Sequence, residues 1–168
     1  VQKMPPILAL SVQENLEPKL SWLQEQLALD TKSLSKLVQK MPPILALSVE
    51  DNLEPKLAWL KAMFELDDAR VSLVVQRLPL LLGLNMEMNV EPKLAWIGER
   101  LVLDDKALSF VIQRLPQSLS CNVETSLEPA IKFYEDCVGS DAARTIIAKD
   151  PRLLTSSLEK RLKPRLVD

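Results

Sequence analysis

Cations recur at fixed intervals along this 168-residue chain, and regularly spaced cations can meet the phosphates of a nucleic-acid backbone. One row is Lys19, Lys56, Lys93 and Arg165, each directly after a proline, with Ala130 as its gap. A second row is Lys3, Lys40, Arg77, Arg114 and Lys149. The densest basic patch is Lys160, Arg161, Lys163 and Arg165, near the C-terminus. Each row also has a plainer explanation. A lysine stem can lie on the neighbouring indole with its head in water, and a cation in a last helical turn is favoured by the helix dipole. Duplication of one accident would also produce a row.

Other chemistries have little support. The chain has no histidine, which removes His-based acid–base chemistry, Ser-His-Asp and Cys-His arrangements, and His metal sites. Cys121 and Cys137 form no C-x-x-C and read as two reduced thiols. There is no P-loop and no G-x-G-x-x-G. Asp67 and Asp68 read as helix caps rather than as a carboxylate pair. Trp22, Trp59, Trp96 and Phe133 could stack bases, but their spacing beside leucines favours core. Neither an enzyme nor a cofactor is expected.

A composition of 47% hydrophobic and 26% charged residues is that of a folded protein. A formal charge of -2 gives no global pull toward nucleic acid or anionic membrane. No apolar run approaches the roughly 20 residues of a membrane span.

The elements that must hold these cations come from one repeated stretch. Residues 38–60, VQKMPPILALSVEDNLEPKLAWL, match residues 1–23 at 20 of 23 positions. Weaker copies start at Val75, Ile112 and Ala148. The repeat units run approximately over 1–37, 38–74, 75–111, 112–147 and a partial 148–168, an array expected to be a fragment open at both ends. In the second unit Val71, Val74, Val75 and Leu78 share one helix face, with Asp67 placed to cap it; Asp30 and Asp104 occupy the same place in neighbouring units. Pro42, Pro79, Pro116 and Pro151 end this helix, and the apolar residues after each read as a 3₁₀ turn. Ser11, Ser48, Asn85, Asn122 and Ser157 are capping residues for a further helix, whose stripe in the second unit is Leu53, Leu57, Leu60 and Phe64. Pro18, Pro55, Pro92, Pro129 and Pro164 lie seven residues past those caps, so that helix either kinks there or starts there; a kink is the favoured reading. Gly139 should close one helix of the fourth unit with a tighter turn. The pattern predicts an all-α fold, an α-solenoid (superhelix) of tandem helix–helix–3₁₀ repeats of about 37 residues.

The motifs LPLLL (78–82), DPRLLTSSLEKRLKPR (150–165) and the repeated LEPKLAWL resemble those of the mitochondrial transcription termination factor (mTERF) family, and in register they span the chain. The resemblance implies a curved, basic groove that binds nucleic acid in mitochondria or chloroplasts. It also implies roles in organellar transcription, its termination, or RNA and ribosome maturation. One departure stands out: residues 1–129 hold 13 Lys+Arg against 17 Asp+Glu, and residues 130–168 hold 8 against 6.

The expectation is therefore a non-enzymatic, monomeric, organellar nucleic-acid-binding protein, with double-stranded DNA ahead of RNA. The alternative is a helical-repeat scaffold that docks a protein partner on its acidic N-terminal repeats.

Overall fold

The computed structural model describes residues 15–155. Among these residues every regular element is helical. Eight α-helices follow one another: α1 (Glu17–Gln26), α2 (Thr31–Lys40), α3 (Glu54–Phe64), α4 (Asp68–Arg77), α5 (Glu91–Leu101), α6 (Asp105–Arg114), α7 (Glu128–Val138) and α8 (Ser140–Lys149). A 3₁₀ turn follows each even helix, at Pro42–Ala46, Pro79–Gly83, Pro116–Leu119 and Pro151–Thr155. A π-type turn then precedes α3, α5 and α7. This is the all-α repeat class that the sequence predicts, and it divides into two compact units between Asn85 and Met86.

Three of the even helices, α2, α4 and α6, start where an aspartate can accept from an orphan N–H of the first turn. Asp30 takes the Ser33 N–H at 2.7 Å, Asp67 that of Arg70 at 2.8 Å, and Asp104 that of Ala107 at 2.7 Å. They stop where a proline follows. Met41, with φ -140° and ψ 71°, and its counterparts Leu78 and Leu115 have left the α region that a following pyrrolidine ring disfavours. The predicted stripes are buried: Leu57, Leu60 and Phe64 on α3 with Leu53 in the turn before it, and Val71, Val74 and Val75 on α4 with Leu78 just past its end. Leu23, Leu37 and Ile44 are also buried in the first unit; in the second unit Ile97, Ile112, Leu119, Ile131 and Ile147 are buried.

The favoured kink at the second proline is corrected. Ser48 does cap, accepting from Asp51 N–H at 3.1 Å, but what it caps is a single wide turn, Val49–Leu53. Leu53 N–H returns to Ser48 C=O, a five-residue step. The α-helix proper begins at Glu54, so Pro55 is its second residue. There a missing N–H costs nothing, because first-turn donors have no intrahelical partner. Asn122 repeats the arrangement ahead of α7. Ser11 and Ser157 lie outside the described residues.

Between α1 and α2, α3 and α4, and α5 and α6, the chain turns through a left-handed residue: Ala28 (φ 45°), Glu65 (φ 49°) and Val102 (φ 54°). The following residue then returns its N–H to the carbonyl five back, as Leu66 does to Lys61 at 3.0 Å. In the fourth repeat Gly139 (φ 85°, ψ 158°) closes α7 and opens α8 with no intervening loop, the tighter turn expected there. Val102 is the misfit, because a β-branched side chain is poorly tolerated at positive φ and this one is 70% exposed. Val102→Gly is expected to stabilise the fold by ~1 kcal/mol, since the left-handed region costs an ordinary residue that much or more. On that scale the thermal midpoint should rise by about 2–4 °C. A melt that stays put or moves down would refute the strain.

Candidate nucleic-acid interface

The first row of lysines meets the backbone of the same chain. Lys19, Lys56 and Lys93 are third residues of α1, α3 and α5, where a cation faces the unfavourable end of the helix dipole. Their ammonium groups escape it by reaching 26 residues forward. Lys19 Nζ donates to Leu45 C=O at 2.6 Å, Lys56 Nζ to Leu82 C=O at 2.6 Å, and Lys93 Nζ to Leu119 C=O at 2.7 Å. Lys93 also donates to Cys121 C=O at 2.7 Å. Each leucine lies in the 3₁₀ turn of the following repeat, whose last carbonyls have no backbone donor and carry the negative end of the turn's dipole. Burial pushes all three amines below the usual lysine value.

The phosphate row expected at Lys19, Lys56 and Lys93 thus has a use inside the fold, each ammonium meeting a carbonyl of the next repeat. Their half-buried heads are bonded to carbonyls, and these lysines join one repeat to the next. Arg165, the fourth member of that row, lies outside the described residues, as do Lys3 and the patch Lys160, Arg161, Lys163 and Arg165.

The second row has another character. Lys40, Arg77, Arg114 and Lys149 each end an even helix, where the dipole favours a cation, and all four are exposed. In the first unit Lys40 Nζ also donates to Gln76 C=O at 3.2 Å, next to Arg77. In the second unit the Arg114 guanidinium lies 5.0 Å from the centre of the Phe110 ring, and Phe110 is itself 41% exposed. Asp150 follows Lys149, and its carboxyl is held below the ordinary value by hydrogen bonds from Arg152 and, less strongly, by Arg114.

Glu17, Glu54, Glu91 and Glu128, the acidic counterparts, are first residues of the odd helices, where the dipole favours a carboxylate. Trp22, Trp59, Trp96 and Phe133 are half-buried, and Trp59 meets Phe64 edge-on at 6.0 Å.

One charged cluster joins Glu128 of that acidic row to two residues with no counterpart in the repeat pattern, Arg100 and Glu135. Arg100 in α5 makes two-pronged contacts with Glu128 (2.8 and 3.2 Å) and Glu135 (2.9 and 2.8 Å) of α7. These bonds raise the arginine above its usual value and hold the Glu135 carboxyl below its own. The equivalent positions in other repeats are Gln26, Met63 and Cys137, so periodicity could not find the cluster. The only signal was an arginine breaking the pattern.

Among the described residues no cluster of His, Cys, Asp or Glu could hold a metal ion, and no helix is long and apolar enough to cross a membrane. The arrangement can therefore present cations at helix ends to an anionic polymer and hold its own repeats together. The family model described as mTERF matches residues 1–168. No curated protein matches the chain.

Proposed function

The chain belongs to the mTERF family, a family of organellar nucleic-acid-binding helical-repeat proteins, and from that membership we propose that it binds double-stranded DNA in the regulation or termination of organellar transcription. The observation that carries this reading is the second cationic row. Lys40, Arg77, Arg114 and Lys149 occupy one position in four successive repeats, at helix ends and exposed. Phosphate recognition needs cations at regular intervals and no catalytic group. Mitochondrion or chloroplast is the compartment this reading implies, with RNA as the second nucleic acid to test.

The test is fluorescence anisotropy with duplex DNA and with RNA across a salt series. Each phosphate neutralised on B-DNA should contribute about 0.9 to the slope of log affinity against log salt. Arg77→Glu, Arg114→Glu and Lys149→Glu combined should lower the affinity and flatten that slope by about 2–3. Reversal of Lys160, Arg161, Lys163 and Arg165 reports separately on the C-terminal patch. Wild-type binding that neither set of reversals weakens would remove both surfaces from the interface. No binding of either nucleic acid at low salt would favour the protein scaffold.

A further inference from the structure

We propose that Gln39 and Gln76, each held by a serine one helical turn earlier and each followed by a cation, read base edges in the DNA major groove. The inference rests on the nucleic-acid reading above. Three even helices carry the same hexad, Ser-x-x-x-Gln-Lys/Arg: residues 35–40, 72–77 and 109–114. In each, the glutamine Nε2 donates to the serine Oγ, at 3.2 Å from Gln39 to Ser35, 3.0 Å from Gln76 to Ser72, and 2.9 Å from Gln113 to Ser109. Between α4 and α6 the intervening residues change from Leu-Val-Val to Phe-Val-Ile, while Ser, Gln and Arg stay. A glutamine pair of this kind stabilises a helix only slightly, by a few tenths of a kcal/mol in model helices, so stability alone explains its recurrence poorly.

Chemistry offers a better reason. A glutamine side chain turns about three bonds, and one hydrogen bond to serine removes much of that freedom before a ligand arrives. Ser72 is itself anchored, donating to Leu27 C=O at 2.5 Å from a nearly buried position. The remaining side-chain N–H and the Oε1 of Gln39 and Gln76 make no other hydrogen bond among the described residues. A donor and an acceptor side by side match adenine N7 and N6 in the major groove. The adjoining cation suits the phosphate that fixes register. In the first unit the Lys40 contact with Gln76 C=O brings two of these rungs to one edge. The deep, narrow major groove of A-form RNA would not admit such side chains.

The experiment selects preferred sequences from a random duplex library with the whole chain, then compares selected and scrambled duplexes by anisotropy across salt. Wild type should enrich a motif containing adenine and discriminate by roughly 10-fold against loss of one such base. Gln76→Met and Gln39→Met keep the chain length and helix but remove the amide, so discrimination should collapse while the salt slope stays. Ser35→Ala leaves Gln39 in place without its tether and should cost part of the discrimination, which a merely structural serine would not. Folded glutamine variants that select the wild-type motif would overturn the inference. So would wild-type binding without sequence preference, which leaves the nucleic-acid reading intact. Absence of any binding takes down both.

Discussion

Leu57→Ala is expected to lower the stability of the first unit by about 2–5 kcal/mol, the range for truncating a buried leucine in a core that cannot fully collapse. Leu57 is 4% exposed, and it shares its stripe with Leu53 and Leu60, both at 0%. No polar atom is lost, so the effect is transfer free energy plus whatever cavity remains between helices. The readout is the urea midpoint, with the slope of the transition unchanged if the denatured state is unaltered. Ala58→Ser supplies the control, because residue 58 is exposed and the first repeat already carries Ser21 at that place. The control should stay within about 0.5 kcal/mol of wild type, as surface substitutions do. Equal midpoints for the two variants would mean that the stripe does not carry the core.

Lys93→Met should cost about 2 kcal/mol, the second-largest effect expected. The substitution keeps an apolar stem of similar length but removes the donor to two carbonyls, Leu119 and Cys121, each 2.7 Å away. A hydrogen bond from a charged donor contributes roughly 1.5–3 kcal/mol net. Two of them would give more, but water can replace part of the interaction at a half-buried site. Removing a desolvated ammonium also recovers some free energy. Lys56→Met loses one bond, to Leu82, and should cost about half as much. Lys132→Met is the comparison: its head is 67% exposed and pairs loosely with Glu128 at 3.7 Å, a contact worth at most a few tenths of a kcal/mol. The expected order of loss is Lys93, then Lys56, then Lys132. If Lys93→Met proves as harmless as Lys132→Met, the bonds between repeats contribute nothing to stability. Ala130 stands at the corresponding position of α7 and is 2% exposed.

The two cationic rows illustrate how legibility depends on where a side chain's partner lies. The second row was placed correctly at helix ends because Asp caps, apolar periodicity and the terminating prolines are all local signals. A helix C-terminus favours a cation whatever surrounds it. The partners of the first row are illegible in the sequence for the opposite reason. Its lysines sit where local electrostatics is adverse, and the carbonyls that compensate are 26 residues away. A separation repeated that often was present in the sequence, but lysine reaching a carbonyl has no sequence signature, since every residue has a carbonyl.

By itself the sequence determined the helical repeat, the caps at Asp30, Asp67, Asp104, Ser48 and Asn122, the buried stripes and the family, because capping and periodicity act within a few residues and each copy reinforces the others. Only the tertiary structure decided what each cation meets. It turned Lys19, Lys56 and Lys93 inward onto the next repeat's turn, gathered Arg100, Glu128 and Glu135 into one cluster, and left Lys40, Arg77, Arg114 and Lys149 exposed. It also decided that the chain passes Pro55 by starting an α-helix after a wider turn. The physical reason is the same throughout: a charge or an unpaired carbonyl is satisfied by whatever packing brings within 3 Å or so of it, and packing partners distant in sequence leave no periodic mark on the residues that meet them.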